Sequence, residues 1–248
     1  MEVHHHPDIH HKPKKWKEYF LEFLMIFLAV TLGFFAESMR EKIVNNDKER
    51  HYMESLTQDL KRDTLEMSDI IFKQNYIIRQ IDSALQTPVE KLTEISTQDI
   101  FYHHFVYFYS FDFLFVQHDK TFTQLKNAGG FGVIKENAVA DSIAELYLFY
   151  DQQVKFDGDY YDDYERKLID IAAQLMKMSE LPHYDDALPN LQNVELITRY
   201  DPALLQQLYT WIRNLKNCLL AYMSEETEYR SMVVRLINFI NKEYHLEQ

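Results

Sequence analysis

One apolar stretch near the start of the chain constrains its fold more than any other feature. Residues 19–36 read YFLEFLMIFLAVTLGFFA and contain a single charged side chain, that of Glu22. A membrane-spanning helix needs about 20 mostly apolar residues, and no later segment is as long or as free of charge. We therefore expect a His- and Lys-rich tail over residues 1–18, one transmembrane helix over residues 19–36 and a second domain over residues 37–248.

The end of this stretch favours an uncleaved anchor over a secretory signal sequence. A signal sequence begins with basic residues, and the chain meets that requirement with Lys12, Lys14, Lys15 and Lys17. However, Phe34 and Phe35 stand where a cleavage site requires small side chains. The helical pattern also continues past this point without a break.

The distribution of charge predicts the topology of the chain. Lysine and arginine flank the span on both sides in nearly equal number, so the positive-inside rule alone decides little. The chain has a net charge of −13, and the whole excess of acidic residues follows the span. We expect the N-terminus in the cytoplasm and the acidic domain outside, which in a two-membrane bacterium is the periplasm. The same acidity argues against nucleic acid as a partner.

Several other features favour an all-α fold. Cys218 is the only cysteine, so no internal disulfide and no cysteine-based zinc site can form. The chain contains five glycines and six prolines, which is too few for the many turns of a strand-rich domain. No proline lies between Pro13 and Pro88, so the spanning helix can continue to about Leu85.

Three segments carry apolar residues at the alternating spacing of three and four that is typical of packed helices. The first is Leu56, Leu60, Asp63, Met67, Ile70, Gln74, Ile77 and Ile81, with polar breaks at Asp63 and Gln74. The second is Tyr147, Tyr150, Val154, Asp157, Tyr161, Tyr164, Leu168, Ile171 and Leu175, and the third runs from Leu205 to Ile240 after the helix-starting pair Asp201-Pro202. We predict one transmembrane helix that continues into an antiparallel bundle of about four long helices.

The remaining candidate element is the aromatic stretch from Ile100 to Val116. A helix that is buried on all sides has this composition, but a strand is an alternative because the aromatic residues fall mainly on odd positions. We favour a helix that ends near Ala128, where Gly129-Gly130 supplies a left-handed cap. We expect residues 179–200 to be irregular.

One face of the predicted span is a candidate for association with other membrane helices. Its residues follow one another at spacings of three and four: Glu22, Ile26, Ala29, Gly33 and Glu37. Ala29 and Gly33 form a small-xxx-small pair that permits close helix approach. An acidic residue within a span is a functional candidate by default, although Glu22 can instead extend to the membrane interface, and its charge state is open.

The sequence contains little that indicates metal or catalytic chemistry. The weak candidates for metal ligands are the tail histidines His4, His5, His6, His10 and His11, which alternatively meet lipid phosphates or a partner. Asp157, Asp159, Asp162 and Asp163 lack the spacing of a calcium loop and are typical of a solvated face. Without a glycine-rich phosphate loop or a catalytic triad pattern, we expect neither a cofactor nor enzymatic activity.

The N-terminal segment also resembles a known family. The residues concerned are Glu2 to His6, Lys14 to Trp16, Glu22 to Leu24, Gly33-Phe34, Ala36-Glu37 and Arg40-Glu41. They resemble the opening of an uncharacterised Bacteroidota family of single-span inner-membrane proteins with a His-rich N-terminus and a helical extracytoplasmic domain. The resemblance implies a bacterial inner-membrane protein and implies no activity.

Two functions agree with these expectations. The first is a structural or accessory subunit of a membrane assembly, joined through the span to other membrane proteins, to itself, or to both. The second is an extracytoplasmic sensor, in which the bundle binds a small ligand and signals through a partner, with the aromatic segment as a possible pocket lining.

Overall fold

The computed structural model describes residues 15–109, 114–127, 129–177 and 195–246. Its α-helices are α1 (Trp16–Gln86), α2 (Ile95–Tyr109), α3 (Lys120–Asn127), α4 (Asn137–Phe149), α5 (Lys155–Leu175) and α6 (Pro202–Tyr244). A π-helical turn, Tyr150–Val154, joins α4 to α5. These ranges contain no β-strand beyond the isolated bridge between Met176 and Ile197. The all-α prediction is therefore confirmed.

The chain divides into two compact units, one ending at His51 and the other beginning at Tyr52. The first unit contains the apolar start of α1. By length and composition this is the one segment in the described part of the chain that is able to cross a membrane. Its most apolar window of 18 residues has a mean hydropathy of 2.1, and none of that window is buried.

The second unit is built around the predicted helical seams. Helix α1 ends at Gln86, one residue beyond the predicted Leu85 and just before Pro88. All eight predicted positions of its outer seam are buried: Leu56, Leu60, Asp63, Met67, Ile70, Gln74, Ile77 and Ile81. Helix α6 begins as predicted, because the Asp201 carboxylate accepts hydrogen bonds from the backbone N–H groups of Ala203 and Leu204.

Helix α6 runs antiparallel to the outer part of α1. At one end the Tyr209 hydroxyl donates to the carbonyl oxygen of Thr87 at 2.8 Å. Towards the other end the Arg230 Nε donates to the Ser68 hydroxyl at 3.1 Å. Residue numbers therefore rise along α6 as they fall along α1.

The continuous helix made of α4, the π turn and α5 is also antiparallel to α6. The rings of Tyr164 and Trp211 lie 5.5 Å apart, and those of Tyr150 and Tyr229 lie 5.6 Å apart. Residue numbers therefore rise from the π turn into α5 as they fall along α6. The apolar and aromatic residues of the second seam form a common core with those of α6.

The fourth member of the bundle is a broken helix. His104 of α2 contacts Gln80 at 2.8 Å, and His118 contacts Asp63 at 2.7 Å, so this member runs antiparallel to α1. Residues 114–119 between α2 and α3 have no regular secondary structure.

The sequence prediction for this member is partly confirmed. Helix is the correct choice for the aromatic stretch as far as Tyr109, and Gly129 has the predicted left-handed backbone, with a φ of 65°. The prediction of an unbroken helix from the aromatic stretch to Ala128 is wrong over residues 114–119. Residues 110–113 and most of the predicted irregular stretch, 179–194, lie outside the described residues.

Candidate functional site

A groove lies beside the π turn, against the break in the fourth member of the bundle. It consists of two adjoining cavities of about 400 Å³ and about 520 Å³. Both cavities are lined by Gln117, Asp119 and Asp151. We call the two cavities together the π-turn groove, and the groove exists because the chain leaves the helical path just before α3.

Tyrosine hydroxyl groups hold the non-helical backbone that forms one wall of the groove. The backbone N–H of Phe115 donates to the Tyr222 hydroxyl at 2.8 Å, and the Tyr150 hydroxyl donates to the carbonyl oxygen of Phe115 at 3.2 Å. The Tyr229 hydroxyl donates to the Gln117 side-chain oxygen at 3.2 Å. Buried backbone groups outside a helix need such partners, and here α6 and the π turn supply them.

Two aspartates of α1 hold the same wall from the other side. One oxygen of Asp63 accepts from the backbone N–H of His118 at 2.8 Å and lies 2.7 Å from its Nδ1 atom. Asp59 accepts from the backbone N–H and the hydroxyl of Thr121, at 3.2 Å and 2.5 Å. Burial raises the pKa of Asp63, while its contacts with His118 act in the opposite direction.

The floor of the groove is aromatic and stays uncharged. Burial raises the pKa of Tyr147, Tyr150 and Tyr222 above the ordinary tyrosine value, so their hydroxyl groups remain protonated at neutral pH. Tyr147 also stacks on Phe122, with ring centroids 3.7 Å apart. The Tyr147 hydroxyl is buried and has no hydrogen-bond partner among the described residues.

The rim of the groove carries exposed charges of both signs, with acidic groups in excess. Asp119, Asp151 and Asp159 stand against Lys155 and Lys126. Asp151, Lys155 and Asp159 are spaced four residues apart, yet no ion pair joins these three described side chains. The carboxylates on this part of the rim therefore remain available to a ligand.

Gly158 lies on α5, and the absence of a side chain there lets Leu114 and Tyr222 pack closely against this helix. A Cβ atom at this position would lie 3.3 Å from the Leu114 Cδ2 atom and 3.5 Å from the Tyr222 ring. Any larger side chain would therefore press on both residues and reduce the first cavity. Gly158 therefore has a packing role at the groove.

A buried acid lies next to the floor. Glu226 is fully buried on α6, and neither of its carboxylate oxygens makes a hydrogen bond of good geometry within the described residues. Burial raises its pKa to about 8, although interactions with Gln74 and Tyr222 act to lower the pKa. The carboxyl group is therefore mainly protonated and neutral at pH 7.

The predicted membrane-association face lies entirely on α1 within the first unit. Its residues Glu22, Ile26, Ala29, Gly33 and Glu37 are half-buried or exposed in the isolated chain. Apart from its chain neighbours and the nearby backbone of its own helix, no atom lies within 4 Å of the position that a Cβ of Gly33 would occupy. Glu37 is paired with Arg40 of its own helix at 2.5 Å.

The predicted metal ligands are not tested by the structure. His4, His5, His6, His10 and His11 all lie outside the described residues. Within the described ranges, no group of three or more His, Cys, Asp or Glu side chains is placed to hold a metal ion. Of the four aspartates that follow the π turn, Asp162 and Asp163 pair with Arg166 and Lys167, Asp159 lines the groove and Asp157 is half-buried.

No family model, curated protein or solved structure matches this chain. The candidate site is therefore defined by its own geometry.

The π-turn groove has no counterpart among the sequence predictions. The groove combines residues from the fourth member of the bundle with residues of α4, the π turn, α5 and α6, which are far apart in the sequence. The available signals were the tyrosines of the second seam and Asp159, which the pattern assigned to the core and to a solvated face. Neither signal indicates a cavity without the break at residues 114–119.

Proposed function

We propose that this protein is a single-pass inner-membrane protein of a bacterium and acts as a structural or accessory subunit of a membrane assembly. In this proposal the apolar part of α1 crosses the membrane, the N-terminus is cytoplasmic and the acidic helical domain is periplasmic. The observation that supports it is an apolar segment of α1 that is long enough to span a bilayer and has none of its most apolar window buried in the described part of the chain.

The face formed by Glu22, Ile26, Ala29, Gly33 and Glu37 is the proposed contact with other membrane helices. Small residues at Ala29 and Gly33 let a second helix approach closely, which increases van der Waals contact in a lipid environment. The space beside Gly33 is empty in the isolated chain. A partner helix, from a second copy or from another membrane protein, can therefore pack there without rearrangement.

The test compares two bulky substitutions in the span. Gly33→Leu fills the proposed contact, whereas Leu28→Phe adds bulk on a different face of the same helix. We expect Gly33→Leu to reduce recovery of the native assembly after extraction in mild detergent, as measured by the mass of the intact particle and the proteins that accompany it. Equal loss with both variants would contradict the proposed face.

A second candidate function is ligand binding by the helical domain, and the π-turn groove is the observation that favours it. Pockets for small molecules are commonly concave, mostly apolar and lined by a few polar groups. The π turn adds to this argument, since such turns often occur at functional sites. In this reading the domain is a sensor that signals through a partner.

The test of this second function is a thermal-shift screen of small molecules against the full chain in nanodiscs. Ligands of the groove raise the unfolding midpoint. Ala144→Trp places a large ring into the second cavity from an exposed position on its wall. A stabilising compound that acts equally on this variant does not occupy the second cavity, and a screen without any stabilising compound would contradict the sensor reading.

A further inference from the structure

We infer that the π-turn groove binds an organic cation, namely an amine attached to an aromatic or apolar body. This inference rests on the proposed ligand-binding function and adds the chemical class of the ligand. It depends on where the carboxylates, the aromatic rings and the unsatisfied hydroxyl group lie relative to the two cavities.

The carboxylates of Asp119 and Asp151 determine where the positive charge of the ligand binds. Asp119 and Asp151 line both cavities, so they stand where the two cavities meet. The Thr123 hydroxyl donates to one oxygen of Asp119 at 3.0 Å, and Asp151 has no ion-pair partner among the described residues. An ammonium group between them would have two opposite charges close by, and hydrogen bonds to ionised groups are the stronger ones.

Aromatic rings on either side of these carboxylates accommodate the apolar part of the ligand. The first cavity is lined by Phe115, Tyr150 and Tyr222, and the second by Phe122, Phe131 and Tyr147. Rings of this kind bury apolar area and attract cations through their faces. Each cavity is large enough for one ring with a short side chain.

Tyr147 provides an observation that is independent of the acidic rim. Its side chain lines the second cavity and is 3% exposed. Its buried hydroxyl group has no hydrogen-bond partner within the described residues. A buried polar group without a partner is costly in free energy, and a ligand relieves that cost only where it reaches this hydroxyl group, which is closed to solvent in the free protein.

The same arrangement disfavours an anionic ligand. The two charged residues that line both cavities, Asp119 and Asp151, are carboxylates, whereas Lys155 and Lys126 each line only one cavity. An anion at the junction would therefore meet two like charges, and like-charge contacts oppose binding. A neutral ligand would gain the aromatic contacts but not the electrostatic attraction.

The experiment measures binding of three probes of similar shape to the full chain in nanodiscs. The probes are phenethylamine, neutral phenethyl alcohol and anionic hydrocinnamate, titrated by calorimetry against the protein and against empty nanodiscs. We expect phenethylamine to bind roughly tenfold or more tightly than the alcohol, and hydrocinnamate to bind weakest. Equal binding of amine and alcohol would overturn the cation inference while leaving ligand binding intact, and binding of none of the three would also overturn it.

Matched double variants locate the binding. Asp119→Asn with Asp151→Asn removes both shared carboxylates, and Asp141→Asn with Asp170→Asn removes the same charge from exposed positions that do not line the groove. We expect the first pair to weaken phenethylamine binding roughly tenfold and to leave binding of the alcohol unchanged. An equal effect of both pairs would show that general charge attracts the amine, and it would overturn the assignment to the groove. Circular dichroism of each variant confirms that it is folded.

Discussion

Glu226 is the clearest case of a single residue that sets a pH dependence. It is fully buried, and burial raises its pKa from an ordinary 4.5 to about 8. The folded protein therefore keeps this proton up to about pH 8, whereas the unfolded chain loses it above about pH 4.5. Unfolding releases a proton between these values, so the free energy of unfolding falls as pH rises through this window.

Glu226→Gln removes this titration, because an amide does not ionise. We expect the variant to gain stability relative to the natural chain as pH rises from about 5 to about 8. The upper limit of that gain is about 1.4 kcal/mol per pH unit, and the difference should stop growing above about pH 8. Thermal unfolding of both full chains in detergent, compared at each pH, measures it.

Glu228→Gln is the matched control for this prediction. Glu228 lies two residues further along α6, but its side chain is exposed and pairs with Arg235 at 3.0 Å. Its substitution should change the unfolding midpoint by a small amount without the same trend between pH 5 and 8. A difference between Glu226→Gln and the natural chain that did not vary with pH would contradict the assignment of a neutral buried acid.

The buried polar residues also show the limit of prediction from sequence at this scale. The spacing of apolar residues placed Asp63 and Gln74 on the buried seam of α1 correctly. It did not identify their partners, because His118 is 55 residues from Asp63 along the chain and Glu226 is far from Gln74. Helical periodicity describes the face of one helix and contains no information about what lies opposite.

At the scale of elements, the wall at residues 114–119 depends on side-chain hydroxyl groups more than on helical hydrogen bonds. Tyr222→Phe removes the acceptor for the backbone N–H of Phe115. We expect this change to cost about 1–3 kcal/mol, because it leaves a buried donor without a partner. It should also accelerate hydrogen exchange of peptides that cover residues 114–119.

Tyr160→Phe is the control for this second prediction. Tyr160 is 52% exposed on α5 and does not line the groove. Its substitution removes the same hydroxyl group without leaving a buried donor, so stability and exchange should both change little. Unchanged exchange in Tyr222→Phe would mean that the wall does not depend on this hydroxyl group.

The elements that the sequence predicted well are those with strong local signals. Asp201-Pro202 starts α6, Pro88 follows the end of α1, and Gly129 after α3 has a left-handed backbone, as the local residues indicate. The break before α3 and the π turn were missed, because both are fixed by long-range contacts such as that between Tyr150 and Phe115. Aromatic composition alone permits a continuous helix through the same residues.

At the scale of the whole molecule, the two units depend on different environments. All of the buried apolar residues of the described chain lie between Met53 and Ile240. The large apolar side chains before His51 are exposed, Phe34 for example by 74%, with the exception of the half-buried Leu24. Large exposed apolar surfaces of this kind indicate a membrane or a partner, whereas the second unit contains its own core.

We therefore expect residues 52–248 to fold without the preceding part of α1. The fragment should be helical and monodisperse in the absence of detergent, and its unfolding midpoint should lie within about 5 °C of that of the full chain, because little core packing is lost. The full chain should remain in the membrane fraction after extraction with alkaline carbonate. Circular dichroism of the fragment tests the first expectation, and membrane fractionation of the full chain tests the second.

Each expectation has its own contradicting outcome. A fragment that aggregates or unfolds would show that the helical domain requires the membrane unit. A full chain released by carbonate would contradict the proposed span.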